Sequence, residues 1–290
     1  MKPNTPIDSA ATTTRHAVRV RELDSAAALE PFLDDLCQDR DPIWAAHIVR
    51  RAASVETCSR IAQNFRSLIA QHGTQRRPDG YVTVDQVGAT QFRKSAAEYI
   101  EQCARAQAGV AALFRDVASG EQDTPLLTGW LTAALAARGY DLGPALFAGG
   151  QAGLCVARSW RNTGAFALEP HEDAAQLADV AEDGFEIATV RRVFASIACI
   201  EPGDGGDLIL WDLVPDDRLR AALGVMRTGY PYPAALLAEI PAVRVSLAQG
   251  DVAIIDASRI HAVEAVRDGM RISMGRFLGR TSDRRIVWWT

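Results

Sequence analysis

The feature that most constrains this 290-residue chain is a change of sequence pattern near residue 145. Before that point, apolar residues recur at the spacing of amphipathic helices. After it, short apolar runs are separated by Gly, Pro and Asp, as in strands joined by tight turns. Helices come first and strands second, without regular alternation, so the pattern favours an α+β protein over a Rossmann-type fold.

The first half carries recognisable helix signals. Ser54 can cap the segment SVETCSRIAQNFRSLIAQHG, which has one apolar face and ends at Gly73. Similar patterns follow, and an apolar stretch precedes the first helix. The predicted elements are helices over 54–73, 95–117 and 124–139 and a short strand within 42–52.

The second half predicts a β-sandwich or barrel. Its strand-like runs are 154–160, 190–200, 206–212, 243–248, 250–256, 261–266 and 270–278. A helical layer packed on these strands is the simplest architecture. We therefore expect a disordered lead-in over 1–17 and a single domain over 18–290, in which 18–145 form mainly helical support and a lid and 146–290 form the β core.

Composition narrows the functional class. The net charge of −5 argues against a nucleic-acid partner, and no apolar run reaches the length of a membrane span. The start of the chain lacks the apolar core of a secretory signal. The odd number of scattered cysteines predicts neither a zinc ribbon nor a disulfide framework, which favours a cytoplasmic protein acting on a small molecule. These cysteines are Cys37, Cys58, Cys103, Cys155 and Cys199.

Five polar residues form an ordered set in strand-like context. His171 and Asp173 lie two apart, so both side chains can reach one ion from the same side of an extended segment, while Glu172 points away. His261 follows after 90 residues, and Arg271 and Ser273 after ten more. Two imidazoles and one carboxylate are the facial ligand set of non-haem Fe(II) oxygenases, which leaves three metal positions open.

Arg271 indicates which ligands could fill the three open metal positions. A chelating 2-oxo acid would fill two of them and dioxygen the third. The far carboxylate of such an acid requires a fixed cation, and the fork of an arginine matches it. We therefore expect Arg271 to bind that carboxylate and the Ser273 hydroxyl to lie on the same face of the strand.

Several segments carry a resemblance to a known family. These are EPGDGGDLILWDL (201–213), GDVAIIDASRIHAVEAV (250–266), RISMGRFL (271–278) and the terminal IVWWT. They resemble the Fe(II)/2-oxoglutarate-dependent oxygenases, in particular the subgroup with welwitindolinone-type aliphatic halogenases and N-succinyl amino acid hydroxylases. The resemblance implies a double-stranded β-helix core, also called a jelly roll or cupin-like fold, with the helical N-terminal layer packed on it.

One position separates the two activities of that subgroup. The halogenases have a small residue where this chain has Asp173, so the resemblance implies a hydroxylase. It further implies Fe(II) held by His171, Asp173 and His261, with 2-oxoglutarate and O2 as cosubstrates and ascorbate as a supporting reductant. The implied reaction hydroxylates an unactivated C–H bond of an amino acid, an N-acyl amino acid or a natural-product intermediate, and yields succinate and CO2.

Other functions stay open at this point. The same chemistry can desaturate or close a ring. A non-catalytic jelly-roll metal protein, or a zinc or manganese hydrolase, could carry the same three ligands, although neither would require Arg271. The oligomeric state is not indicated by the sequence.

Simpler roles also compete for individual residues. Asp173 could cap a following helix, and Arg271 could pair with Asp268 at the surface. Arg158 and Arg161 could bind a substrate carboxylate or lie on a solvated edge. His16, His47 and His72 have no partner at metal-ligand spacing, and we expect them to be ordinary residues.

Overall fold

The computed structural model describes residues 18–38, 40–72, 84–160, 164–281 and 284–290. The predicted lead-in over 1–17, with His16, lies outside the described residues, as do Gly73 and Arg161. The helices are α1 Glu30–Gln38, α2 Val55–His72, α3 Ala96–Leu113, α4 Thr128–Ala136, α5 Asp217–Leu223 and α6 Ala234–Leu237, with 3-10 turns at Ala26–Leu29, Ala174–Asp179 and Glu186–Thr189.

Strands dominate the second half and also occur in the first. They are β1 Val20–Leu23, β2 Ala46–Val49, β3 Asp85–Val87, β4 Asp141–Pro144, β5 Leu146–Phe147, β6 Gly150–Gln151, β7 Val156–Trp160, β8 Phe166–His171, β9 Phe194–Glu201, β10 Asp204–Gly205, β11 Leu208–Trp211, β12 Ala242–Val245, β13 Val252–Asp256, β14 His261–Glu264, β15 Val266–Asp268, β16 Arg271–Arg280 and β17 Arg285–Trp289.

Two sheets form a double-stranded β-helix, which confirms the predicted α+β jelly roll. The larger sheet runs β1-β2-β13-β9-β16-β17-β4, and β7 joins it between β16 and β3. The smaller sheet runs β12-β11-β14-β8. Apolar side chains such as Ala253 and Ile255 of β13 face Leu208 and Leu210 of β11 in one buried cluster, so the two sheets pack face to face.

The helical layer covers the outer face of the larger sheet. Side chains of α1, α2, α3 and α4 share one buried cluster with Ile254, Ile272, Met274 and Leu278 of the sheet. Burial of this apolar surface stabilises the contact by roughly 25 cal/mol per Å². None of the described helices is long and apolar enough to cross a membrane.

The predicted helices occur close to where the sequence places them, with one difference. The Ser54 hydroxyl accepts a hydrogen bond from the Thr57 amide at 3.2 Å and caps α2, as expected. The third helix starts at Thr128 rather than near Thr124, because Leu127 takes a left-handed conformation with φ of 53°. Residues before it form turns, and the Asp123 carboxylate accepts from the Gly129 amide at 2.6 Å. The helix therefore begins after this turn and not at the proline.

His47 allows a test of the packing between α1 and the sheet. It is 3% exposed on β2, and its ring centroid lies 6.1 Å from that of Phe32. Burial, with a smaller effect from Arg21, lowers the pKa of His47 to about 4. The unfolded chain therefore binds the proton first as the pH falls, so stability is fully present above about pH 6.5 and is lost towards pH 4.

We predict that His47→Phe removes this pH dependence. Between pH 7 and pH 4 the wild-type protein should lose about 3 kcal/mol more of its free energy of unfolding than the variant does. Urea denaturation at several pH values measures the difference. Parallel curves for the two proteins would show that His47 does not titrate on unfolding.

Candidate active site

The pairing of β8 with β14 brings two distant histidines together. His171 ends β8, His261 begins β14, and the two are directly paired in the antiparallel register. Their ring centroids lie 4.2 Å apart, and both side chains are buried. Each Nδ1 bonds a backbone carbonyl two residues earlier, that of Glu169 at 2.9 Å and that of Arg259 at 2.8 Å. Since these bonds place the proton on Nδ1, both Nε2 atoms are available to a metal.

Asp173 completes a triangle of ligand atoms. Its carboxylate oxygens lie 3.9 Å from His171 Nε2 and 3.3 Å from His261 Nε2. One atom from each residue lies within 4.8 Å of the others. Ligands bound at about 2.1 Å and at right angles are roughly 3 Å apart, so small side-chain movements would fit the triangle to one ion. The donor set suits a divalent first-row metal.

Hydrogen bonds and charge hold the Asp173 carboxylate ionised. Burial opposes ionisation, but the contact with His261 in its protonated form and the charge of protonated His171 outweigh it, so the pKa of Asp173 lies below its usual value. Burial likewise opposes the charge on His261, while the bond to Asp173 raises the pKa of that imidazole above its usual value. Gln176 donates from Nε2 to Asp173 Oδ1 at 2.7 Å and fixes the carboxylate plane.

Glu172 points away from the triangle, as expected from strand alternation. Its Oε2 accepts from the amides of Ala174 and Ala175 at 2.7 and 3.1 Å, and its Oε1 accepts from Arg220 Nε at 3.0 Å. Asp173 itself makes no side-chain cap bond to the 3-10 turn that follows. The simpler role considered for Asp173, capping a helix, therefore belongs to its neighbour Glu172.

Arg271 lies at the start of β16 and faces the same cavity as the triangle. It is 4% exposed, and burial lowers its pKa. Within the described ranges no carboxylate, Asp268 included, lies within ion-pair distance of it. A buried guanidinium without an anion is costly, so the cavity favours an anionic ligand. Ser273 lines the cavity beside it.

Gly206 makes room for the Arg271 side chain. It has φ of +75°, and a Cβ atom at this position would lie 2.7 Å from Arg271 Cδ. Gly206 belongs to the EPGDGGDLILWDL segment, so that turn shapes the passage through which Arg271 reaches the cavity.

Arg158 also lines the cavity, from the middle of β7. Its Nε donates to Gln86 Oε1 at 3.2 Å and its Nη2 to Thr90 Oγ1 at 2.7 Å. The side chain is thus half-buried and held from the first half of the chain, rather than lying on a solvated edge. Arg161, the other candidate for a substrate carboxylate, lies outside the described residues.

Several residues that the sequence analysis did not identify also line this cavity, among them Trp160, Gln176 and Tyr230. Trp160 donates from Nε1 to Ser273 Oγ at 2.8 Å, Gln176 bonds Asp173, and the Tyr230 ring lies 6.1 Å from the His171 ring. Only Gln176 could have been identified from local sequence, because it follows Asp173 by three residues. Trp160 and Tyr230 reach the site through strand pairing and a distant loop.

Comparisons with known proteins place the chain in a family. No family model matches the sequence. The chain is 39% identical over 245 residues to the L-isoleucine 3(1)-dioxygenase of Pantoea ananatis strain AJ13355, which covers 84% of this chain and 83% of the relative. It also resembles the crystal structure of the non-haem alpha-ketoglutarate-dependent epimerase SnoN from nogalamycin biosynthesis, with a TM-score of 0.52 and 18% identity over 88% of this chain and 87% of that one. The SnoN complex with Fe3+, alpha-ketoglutarate and nogalamycin RO gives a TM-score of 0.50, at the same identity and coverage.

The chain therefore belongs to the Fe(II)/2-oxoglutarate-dependent oxygenases. Within that family it is a dioxygenase, whose cofactors are iron and 2-oxoglutarate. The likeness to the SnoN structures supports the fold, and the identity to the Pantoea enzyme establishes membership of the family.

We predict that the Glu172–Arg220 ion pair stabilises the turn that holds the triangle. Arg220→Leu leaves the Glu172 carboxylate, which is 0% exposed, buried without its cation, and should lower the free energy of unfolding by about 3–5 kcal/mol. Arg218→Leu is the matched control, because Arg218 is exposed on the same helix, and should change it by less than about 0.5 kcal/mol. Denaturant unfolding compares the two. Equal effects would show that the ion pair adds nothing.

Proposed function

We propose that this dioxygenase hydroxylates an unactivated C–H bond of a small aliphatic amino acid, with conversion of 2-oxoglutarate to succinate and CO2. His171, Asp173 and His261 hold the iron, and Arg271 with Ser273 binds the distal carboxylate of 2-oxoglutarate. Arg158 binds the carboxylate of the amino acid. The same site could desaturate or cyclise a substrate, and the mass of the product distinguishes hydroxylation from these two outcomes.

One observation carries the proposal. A buried triangle of two imidazoles and a carboxylate shares a cavity with a buried arginine that lacks an anion among the described residues. A zinc or manganese hydrolase could use the triangle but gives no reason for the arginine. A metal-binding protein without turnover would likewise leave the cost of burying Arg271 unexplained.

The protein groups have separate tasks in this reaction. Bound iron and 2-oxoglutarate supply the oxidising chemistry when present. The backbone carbonyls of Glu169 and Arg259 hold the two imidazoles in the tautomer that presents Nε2. Gln176 orients the Asp173 carboxylate. The buried walls exclude bulk water, which strengthens the attraction between Arg271 and an anion.

The substrate class rests on three considerations. The Pantoea relative is named for L-isoleucine, a free aliphatic amino acid. The cavity offers Arg158 as a second cation, separate from Arg271. Apolar side chains on the remaining wall suit an aliphatic side chain; they include Phe92, Leu168, Ile197, Leu247 and Phe277. An N-acyl amino acid is the alternative within the same class.

The first half of the chain contributes to substrate binding under this proposal. Thr90 and Phe92 line the cavity from the segment after β3. We propose that residues 18–145 act as support and lid around the β core within one domain over 18–290. All five cysteines are free and buried, which supports the cytoplasm as the compartment.

We predict substrate-dependent succinate formation that depends on the triangle and on Arg271. With Fe(II), 2-oxoglutarate, ascorbate, air and L-isoleucine, the wild-type protein should form succinate and a product 16 mass units heavier than L-isoleucine, because hydroxylation adds one oxygen atom. Asp173→Gly and His261→Ala should lose more than about 100-fold of the rate, because each removes a metal ligand. Arg271→Ala should raise the KM for 2-oxoglutarate by about 10- to 100-fold.

The assay panel contains free and N-succinylated aliphatic amino acids. A product two mass units lighter than the substrate would indicate desaturation or cyclisation instead. Absence of succinate from iron-loaded protein with every member of the panel would contradict the proposed substrate class. Full activity of Asp173→Gly would contradict the ligand assignment.

We predict that Arg158 recognises the substrate carboxylate. Arg158→Met should raise the KM for L-isoleucine by about 10- to 100-fold, the effect of one charge-assisted contact, while the KM for 2-oxoglutarate changes less than about twofold. L-isoleucinamide, which lacks the carboxylate, should be a poor substrate that the variant affects little. An equal loss for the acid and the amide would show that Arg158 has a different role.

A further inference from the structure

Trp160 connects β7 with β16, the two strands beside the part of the cavity that Arg271 and Ser273 line. It ends β7, where it pairs with Arg271 in the antiparallel register of β7 and β16. Its Nε1 donates to Ser273 Oγ at 2.8 Å. Trp160 is 3% exposed and Ser273 is 7% exposed, so this hydrogen bond is shielded from bulk water.

The chemistry of the two groups fixes the direction of the bond. An indole N–H can donate but cannot accept, whereas a hydroxyl has one proton and two lone pairs. Ser273 Oγ must therefore be the acceptor, and its own proton must point away from Trp160. Across the described part of the chain, the Ser273 hydroxyl has no other hydrogen-bond partner.

The neighbouring guanidinium cannot take this proton. Arg271 carries five N–H donors and no acceptor. The cavity wall at Arg271 and Ser273 thus presents donors without a protein acceptor, which is complementary to a carboxylate. A serine without the indole bond could instead turn its oxygen to accept from another donor, and its proton would then be directed elsewhere.

We propose that Trp160 is a positioning residue for 2-oxoglutarate: it holds the Ser273 oxygen as an acceptor, so that the Ser273 proton is directed to the distal carboxylate beside Arg271. This inference rests on the proposed role of Arg271 and Ser273. It assigns to Trp160 a specific effect on the distal carboxylate and none on the 2-oxo acid end of the ligand.

Calorimetric titration of the anaerobic, Mn(II)-loaded protein tests the inference without turnover. Trp160→Phe, which keeps an aromatic ring but loses the N–H, should weaken 2-oxoglutarate binding by about 3- to 10-fold. The affinity for 2-oxobutanoate, which has the same chelating end but no distal carboxylate, should stay within about twofold. Trp211→Phe is the matched control, since Trp211 is buried outside the cavity, and should change neither affinity.

A double-variant cycle tests whether Trp160 acts through Ser273. Ser273→Ala should weaken 2-oxoglutarate binding, and adding Trp160→Phe to it should cause less than about twofold further loss. Additive losses would overturn the inference, as would equal losses for the two ligands or no loss in Trp160→Phe. The underlying proposal is tested separately, because unchanged 2-oxoglutarate binding by Arg271→Ala would contradict it whatever Trp160 does.

A second measurement keeps Trp160 in place, in case Trp160→Phe does not fold. In the Zn(II)-loaded protein, one indole N–H resonance should be protected from exchange with solvent and should shift upfield in Ser273→Ala. 2-Oxoglutarate should move this resonance in the wild type, and 2-oxobutanoate should leave it within line width. If no indole resonance responds to Ser273→Ala, or if the two ligands shift it equally, the inference is wrong.

Discussion

The pairing of β8 with β14 is the contact on which the rest of the site depends. It sets His171 opposite His261, although the two are 90 residues apart in sequence. The register shifts between this pair and the pair of Leu168 with Val263, so β8 carries one extra residue just before its end. Pro170 lies in that irregular stretch, where a missing N–H is tolerated. A slip of one residue would turn the histidine to the opposite face of the sheet, so register and chemistry are determined together.

The cavity wall around Arg271 and Ser273 presents donors that have no acceptor among the described residues, which makes it complementary to an anionic ligand. Arg271 is buried without an anion among the described residues, and the Ser273 hydroxyl accepts from Trp160. Burying the Arg271 charge without an anion costs free energy, and an anion bound beside it would offset that cost. Ligand binding should then stabilise the fold as well, since a ligand that binds the native state alone shifts the folding equilibrium.

The sequence predicted local features well and long-range contacts poorly. Apolar runs between Gly and Pro located the strands of the core, and two-residue spacing put His171 and Asp173 on one side with Glu172 on the other. It did not predict that β2, β3 and β4 of the helical half extend the larger sheet, because such pairing depends on partners at least 70 residues away. The contact of Trp160 with Ser273 was not predicted for the same reason. Its partner Ser273 is 113 residues distant, and no periodicity connects them.

The cavity is lined by residues of the β core and by residues of the first half, and the two groups affect the reaction outcome differently. SnoN has this fold at 18% identity and is named an epimerase, so the fold alone does not select hydroxylation. His171, His261 and Arg271 lie on strands of the β core and Asp173 follows the end of β8, whereas Thr90 and Gln86, which hold Arg158, come from the first half. A carbon atom is oxidised when it is held close to the metal, and its position follows from where the other end of the substrate is bound. Under the proposed function, the first half can therefore change substrate and regiochemistry while the β core keeps the oxidative step, and we propose that Arg158 and its two supports determine specificity.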